Sequence, residues 1–170
     1  MATENKVLDV SFEADEDLSN DQYRIVVLDA TSGKVRRPNA ITDIPLGILQ
    51  NAPAAGAAAE VCPLGSGGIS KVQLGATLGI GAIIAMEYVD TADAGKTQAA
   101  VATQYPVGIL LEGGVEDDIG SALLAPLTKA MVQQAHIADP SGGTTIDAEG
   151  RAKINAILVA LETYGLLATV

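Results

Sequence analysis

The chain has 170 residues and a formal net charge of −11 at pH 7, because 21 acidic residues outnumber 10 basic ones. A charge of this sign repels nucleic-acid phosphates, so nucleic acid is excluded as the main partner. Hydrophobic residues make up 48% of the chain, yet 3% are aromatic and 18 residues are glycine. This composition favours short, closely packed strands, and we expect part of the stability to come from oligomerisation.

The N-terminal residues show no apolar stretch behind a basic start, so we expect no signal peptide. No run approaches the roughly 18 apolar residues of a membrane-spanning helix, and we expect no membrane partner. Cys62 is the single cysteine, which excludes an intrachain disulfide and indicates a small buried apolar residue. The expected place of synthesis is a reducing cytoplasm.

Short apolar runs separated by turn signals predict strands through the first half of the chain. They are Lys6–Phe12, Gln22–Asp29, Val35–Arg37, Pro45–Gln50, Glu60–Leu64 and Ile69–Leu74. Turn signals recur about every eight to twelve residues, which is typical of an all-β sandwich or barrel.

Two segments of the chain repeat. Residues 27–34 resemble residues 88–96, and residues 42–49 match residues 103–110, at an offset of about 61 with one extra residue in the second turn. Chance similarity in a chain rich in Gly and Ala is the alternative. The matched order of strand, Gly-Lys turn and Pro-x-Gly-Ile-Leu favours duplication of one supersecondary unit.

These patterns predict a mainly β fold, with a small β-sandwich or barrel-like domain, internal duplication and a C-terminal α-helix. The predicted boundaries are an N-terminal arm (1–20), a β domain (21–137) with two related halves (about 27–64 and 88–126), a linker (138–145), and a C-terminal helix with its tail (146–170). Residues 121–137 are ambiguous between helix and strand, and we favour strands there.

The C-terminal segment carries the clearest helical pattern. Ile154, Ile157, Leu158 and Leu161 form one apolar stripe at helical spacing. A helix of this length is marginal alone in water, so the stripe must be buried on its own β domain or on copies of itself. We predict that these four residues form an oligomer interface.

One glycine-containing turn resembles a nucleotide-binding motif. Asp90-x4-Gly95-Lys96-Thr97 is close to a P-loop, but Asp90 stands where the loop needs glycine, and its charge repels phosphate. A strand is expected to follow instead of a helix. We predict no nucleotide and no other cofactor.

The sequence gives weak evidence for metal-binding or catalytic residues. Asp15, Asp17 and Asp21 could approach a cation, but a calcium loop beginning at Asp15 would have Val26 in place of its bidentate Glu. His136 has no ligand set around it in sequence. We predict no metal, no catalytic residues and no enzymatic activity.

Positive charge concentrates in one region of this acidic chain, at Arg24, Lys34, Arg36 and Arg37. The group serves either solubility or contact with an acidic partner surface. For the second interpretation, the predicted contact residues are Arg24, Arg36 and Arg37.

Three segments together resemble the small capsid cement or decoration proteins of tailed phages and prophages. They are Asp17-Leu18-Ser19-x-x-Gln22-Tyr23-Arg24, Ile44–Gly56 with its Pro-x-Gly-Ile-Leu-Gln-Asn-x-Pro-Ala-Ala-Gly turn, and Ala58–Val61. The likeness spans about residues 15–126, with 81–111 similar to the second part of those proteins. Separately, Ala152–Leu167 is similar to the closing segment of phage head-fibre proteins.

The resemblance implies a repeated surface subunit of a phage particle. It implies a homotrimer over local three-fold sites of an expanded icosahedral shell, the major capsid protein as partner, and a location on the outer capsid surface of the virion. It brings no catalytic residues. The alternative is a head-fibre or host-attachment protein, although the few aromatic residues count against sugar binding.

Overall fold

A computed structural model describes residues 2–40, 42–88, 92–101, 104–125, 154–159 and 161. The described residues form ten strands and a short helix over 154–159, which confirms the predicted mainly β fold. The strands are β1 (Val10–Glu13), β2 (Ile25–Leu28), β3 (Val35–Arg36), β4 (Pro45–Leu49), β5 (Ala58–Pro63), β6 (Ile69–Gln73), β7 (Ile83–Met86), β8 (Thr97–Ala99), β9 (Pro106–Glu112) and β10 (Ile119–Leu124). Two compact units divide the chain, Met1–Ala130 and Met131–Val170. The predicted linker 138–145 and His136 lie outside the described residues.

Two antiparallel sheets share one strand order. The first runs β1-β5-β4-β2-β3 and the second runs β6-β10-β9-β7-β8, so each strand of the first has a counterpart five strands later. In each sheet an isolated parallel bridge joins the two outer strands, between Ala14 and Val35 in the first and between Leu74 and Thr97 in the second. Each sheet therefore curls into a small, partly closed barrel, here named the first and the second barrel.

The duplication extends to the register of the strands. In the first barrel Ile25 pairs with Ile48 and Val26 with Gly47, before a bulge places Val27 opposite Pro45. In the second, Ile83 pairs with Ile109 and Ile84 with Gly108, before a bulge places Ala85 opposite Pro106. Proline cannot donate to the ladder, so a bulge at the same proline in both copies has one physical cause.

Glycine holds the same position in both barrels for a steric reason. A Cβ on Gly47 would lie 2.3 Å from the Cys62 carbonyl oxygen, and a Cβ on Gly108 would lie 2.3 Å from that of Leu123. Cys62 and Leu123 are themselves equivalent across the repeat. The glycine of the Pro-x-Gly-Ile-Leu motif is therefore required by the close approach of two neighbouring strands.

Each barrel carries one strained position that its counterpart fills with glycine. Among the described residues, Tyr23 (φ 68°) and Asp117 (φ 69°) are the non-glycine residues with positive φ. The N–H groups of Tyr23 and Gly81 (φ 85°) donate to Leu49 and Leu110, which are equivalent. The N–H groups of Gly56 (φ 76°) and Asp117 donate to Ala14 and Leu74, which are also equivalent. The turn geometry is therefore conserved between the barrels even where the residue type is not.

The observed repeat runs from β1 to β5 and from β6 to β10, and so begins earlier in each copy than residues 27 and 88. The predicted matching of the Gly33-Lys34 and Gly95-Lys96 turns agrees with the hydrogen bonds around them. The predicted matching of Val27 with Tyr88 is wrong, because Ala85 is the structural equivalent of Val27. The segment between β7 and β8 is longer than that between β2 and β3, and an ungapped comparison slips there.

The described residues of the two barrels form two apolar clusters. The smaller lies inside the first barrel and comprises Ala14, Leu18, Val26, Val35, Leu49, Ala59 and Val61. The larger contains the interior of the second barrel together with Ile25, Val27, Ile48 and Cys62 from the first. Because side chains alternate along a strand, these four residues point away from the first barrel's interior. The second barrel therefore shares its core with the outer face of the first.

The N-terminal segment lies on its own chain. Asn5 pairs with Ile69 at the edge of β6, and the Thr3 N–H donates to Ser121 Oγ at 2.6 Å. Residues 10–13 of the predicted arm form β1. The segment from Thr3 to Asn5 therefore contacts the second barrel before the chain enters the first.

Candidate functional site

The junction between the two barrels is built on main-chain contacts. The Ile25 N–H donates to the Gly95 carbonyl at 2.6 Å, and the Gln73 N–H donates to the Tyr23 carbonyl at 2.9 Å. A Cβ on Gly95 would lie 2.4 Å from the Ile25 carbonyl oxygen. The turn at Gly95 thus fits against β2 because glycine leaves room for it.

Polar side chains complete this junction. The Gln50 side chain donates to Ser70 Oγ at 3.0 Å, and both residues are buried. Lys71 Nζ lies 5.4 Å from the centre of the Tyr23 ring, within range of a cation–π contact. The junction therefore combines packing with specific pairing, as a permanent interface does.

Arg24 belongs to the same junction. Its guanidinium donates to Gln73 Oε1 at 2.7 Å and to the Ala92 carbonyl at 2.6 Å, and it pairs with Asp21 Oδ1 at 3.2 Å. The side chain is 11% exposed. Arg24 thus binds the second barrel within its own chain.

Arg36 and Arg37 are neutralised by carboxylates of the same chain. Arg37 pairs with Asp21 Oδ2 at 2.6 Å and with Glu16 Oε2 at 2.9 Å. Arg36 pairs with Asp43 Oδ2 at 3.2 Å. Burial lowers the pKa of Arg37, but the two carboxylates outweigh burial and raise it. Their role as capsid contacts stays a prediction.

Residues 92–97 of the motif that resembles a P-loop lie on the second barrel and are engaged by protein groups, whereas Asp90 lies outside the described residues. Lys96 Nζ contacts Asp93 Oδ1 and Asp117 Oδ1, each at 2.6 Å, and its side chain is 7% exposed. The Thr97 hydroxyl donates to the Gln73 carbonyl at 3.0 Å. Burial lowers the pKa of Lys96, but Asp117 and Asp93 raise it above its ordinary value. A P-loop needs this amine for phosphate, and here two carboxylates hold it.

The acidic residues considered for calcium are separated by their partners. Asp21 is buried between two arginines, and the Asp17 carboxylate accepts the Ser19 N–H at 3.1 Å. Over the described part of the chain, no three Asp, Glu, His or Cys residues gather as a metal site would require. Cys62 lies buried, and burial raises the pKa of its thiol, which disfavours the reactive thiolate.

A row of apolar side chains crosses the outer face of the second barrel. Ile83, Ile109 and Leu123 are paired across β7, β9 and β10 and stand side by side. Ile83 is 51% and Leu123 is 37% exposed, and Ile109 is partly buried. Nearby on the same barrel, Leu111 is 41% and Ile119 is 39% exposed. We name Ile83, Ile109 and Leu123 the outer row; it is a candidate surface for contact with another protein.

No protein-family model matches the chain, and no curated protein matches its sequence. Among solved structures, the chain is similar to the N base of the head fibre protein gp8.5 of bacteriophage phi29. The TM-score is 0.52 and the sequence identity is 15%, and the match covers 70% of this chain and 94% of the fibre base. The similarity shows that the two proteins share a fold. The resemblance to cement proteins stays a prediction.

The predicted oligomer stripe lies in the C-terminal unit. Leu158 is buried, Leu161 is partly buried, and Ile154 and Ile157 are 49% and 59% exposed. No described helix is long and apolar enough to cross a membrane. The role of the stripe in oligomerisation stays a prediction.

The outer row was missed by sequence reasoning, although a signal for it exists. Ile83 and Ile109 repeat Ile25 and Ile48 at equivalent positions. Aligning β7 with β2 would have shown that an apolar row recurs in the second barrel. The longer segment before β8 hid that alignment.

Proposed function

We propose that the chain is a non-enzymatic structural protein of a tailed-phage head, which binds the outer surface of the expanded shell as a homotrimer and stabilises it. The proposed partner is the major capsid protein. The observation that carries the proposal is the fold shared with a head fibre base over 94% of that base. The cement resemblance of residues 15–126 gives the fold its proposed role.

The physical properties of the chain suit this role. A subunit that binds the assembled shell and not its dissociated parts stabilises the shell by mass action. A trimer gains avidity, since its second and third contacts form within one complex. The net charge of −11 keeps decorated particles apart in solution.

The test is binding to expanded, DNA-free heads of the phage or prophage that encodes the chain, with unexpanded heads as control. We expect saturable binding to expanded heads only, and a higher temperature of head disruption. Absence of binding to either form would overturn the proposal.

A second candidate is a head-fibre or host-attachment protein, which the similarity to the phi29 fibre base favours. In that case the chain binds heads without raising their disruption temperature, and decorated particles adsorb to host cells more tightly than bare ones. The two measurements on the same particles separate the candidates.

The trimer and its predicted helical interface are tested by light scattering on the full chain. Ile157→Lys places a charge in the predicted stripe, and Val115→Lys places one at an exposed apolar site on the second barrel. We expect a trimer that only the first substitution weakens. A trimer unaffected by Ile157→Lys would remove the stripe from the interface.

A further inference from the structure

We infer that the outer row of the second barrel binds the first barrel of another copy of this chain, and that this contact repeats the junction between the two barrels within one chain. The inference adds a second contact between copies to the predicted helical stripe, and it rests on the proposed oligomer. It does not depend on capsid binding.

The first step is the equivalence of a buried row and an exposed one. Ile25, Ile48 and Cys62 occupy the positions in the first barrel that Ile83, Ile109 and Leu123 occupy in the second. All three members of the first row are 0% exposed, since the second barrel covers them. The outer row has the same register and apolar character, and among the described residues nothing covers Ile83 and Leu123 to that degree.

The second step identifies the surface that would cover the outer row. Within the chain, the Gly95 turn and the edge of β6 at Gln73 contact β2. Their equivalents on the first barrel are the Gly33 turn and the edge of β1 at Glu13. A Cβ on Gly95 would strike the Ile25 carbonyl, whereas a Cβ on Gly33 (φ 70°) meets nothing within 4 Å. The first barrel therefore presents the same glycine turn with open space in front of it.

The third step is the chemistry of the two surfaces. Inside the chain Gln50 donates to Ser70, a polar pair across the junction. The equivalent residues are Leu111 and Val10, which are both apolar; Leu111 is 41% exposed and Val10 is partly buried. The polar contact between Gln50 and Ser70 within the chain thus corresponds to an apolar contact between Leu111 and Val10 of two chains. Each contact joins groups of like polarity, so the surfaces are complementary in both cases.

The geometry of such a contact differs from that of a symmetric dimer. Each chain offers the outer row on its second barrel and the Gly33 turn on its first barrel. Because these surfaces differ, the contact is heterologous, and its repetition closes into a ring when the rotation permits. In the ring, Leu111 of one chain would lie beside Val10 of the next.

The experiment is thiol crosslinking between co-expressed full-length chains, one carrying Leu111→Cys and the other Val10→Cys, treated with a short bis-maleimide. Cys62 is buried and serves as a silent background. We expect covalent dimers containing one chain of each kind. Replacing Leu111→Cys by Val115→Cys, which lies at an exposed loop position outside the row, should give none.

A glycine pair supplies a matched control for the acceptor side. Gly33→Asn, added to the chain with Val10→Cys, should abolish the crosslink, because its side chain would strike the main chain at residue 83 of the next copy. Gly67→Asn alters a glycine of similar φ (75°) that likewise has nothing within 4 Å, and should leave the crosslink intact. Asn tolerates positive φ better than other residues, so both variants should fold, which circular dichroism checks.

No crosslink in the Leu111/Val10 pair, or a crosslink that survives Gly33→Asn, would overturn the inference. A chain that fails to crosslink yet binds expanded heads would overturn the contact and leave the proposed capsid role standing. A chain that crosslinks as expected but binds no head would overturn the proposed capsid role and leave the contact between copies standing.

Discussion

The two barrels have the same strand order, register, proline bulge and close-approach glycine, yet their outer faces have different surroundings. In the first barrel the row Ile25, Ile48 and Cys62 is sealed by the second barrel, whereas two of its equivalents, Ile83 and Leu123, are 51% and 37% exposed. The difference shows that the barrel pattern and the partner of its outer face are encoded separately. Glycine and proline positions specify the barrel fold, and the residues on the outer face determine which surface packs against it.

The largest expected effect is a difference in stability between substitutions in the buried row of the first barrel and in the outer row of the second. Ile25→Ala should lower the free energy of unfolding by about 4 kcal/mol, because a fully buried side chain leaves a cavity. Ile83→Ala should lower it by less than about 1 kcal/mol, because half of the side chain is already in water. Urea unfolding at low protein concentration measures both. Equal losses would show that the outer row is covered within a single chain.

The next effect tests the close-approach glycine that the two barrels share. Gly47→Ala and Gly108→Ala should each destabilise the chain by about 3 kcal/mol, since each new methyl group would lie 2.3 Å from a carbonyl oxygen of the neighbouring strand. Gly79→Ala, with nothing within 4 Å, is the matched control and should change stability little. A mild loss at Gly108 alone would mean that β10 can move away where β5 cannot.

A smaller effect contrasts two equivalent lysines. Lys96→Met should cost about 2 kcal/mol, because the lysine is buried and bonded to two carboxylates. Lys34 contacts Glu13 at 2.6 Å, but its side chain is 35% exposed, so Lys34→Met should produce no measurable change. Thermal unfolding of both variants beside the parent is the measurement, and equal effects would contradict the contrast.

The Lys96 pair also predicts a pH dependence. A hydrogen bond from Lys96 lowers the pKa of Asp117, so its contribution is present above the ordinary value of 3.8 and is lost as the pH falls through the lowered pKa. The pKa of Lys96 is raised, so its contribution is present below 10.5 and is lost as the pH rises through the raised pKa. The stability gap between the parent and Lys96→Met should therefore be widest near neutral pH. A gap that is constant from acid to alkali would show that Lys96 acts through packing.

The smallest effect concerns backbone strain. Because Tyr23 has positive φ where the second barrel has Gly81, Tyr23→Gly should be more stable than Tyr23→Ala by about 1 kcal/mol. At Gln22, which has ordinary φ, the order should reverse. Chemical unfolding of the four variants decides the matter, and the same order at both positions would contradict the strain at Tyr23.

Much of the fold could be predicted from the sequence because its signals are local. The strands from Pro45 and from Ile69 follow from turn residues and β-branched runs, and the repeated Pro-x-Gly-Ile-Leu motif revealed the duplication. The full extent of the repeat could not be predicted, since β2 and β7 match only when a gap is placed before β8. The arginine pairs were equally hidden, because Asp21 and Arg37 meet through tertiary structure and not through spacing in the chain.

The cover over the Ile25 row has a consequence during synthesis. The row Ile25, Ile48 and Cys62 is complete once Cys62 has been added, but the second barrel that covers it ends at Leu124. At roughly 5–20 residues per second, the row is therefore exposed for several seconds. In that interval a neighbouring chain on the same polysome can supply its own second barrel, which is the route to a domain-swapped dimer. Slowing translation between residues 63 and 95 should therefore raise the yield of swapped dimers, whereas slowing it after residue 125 should not.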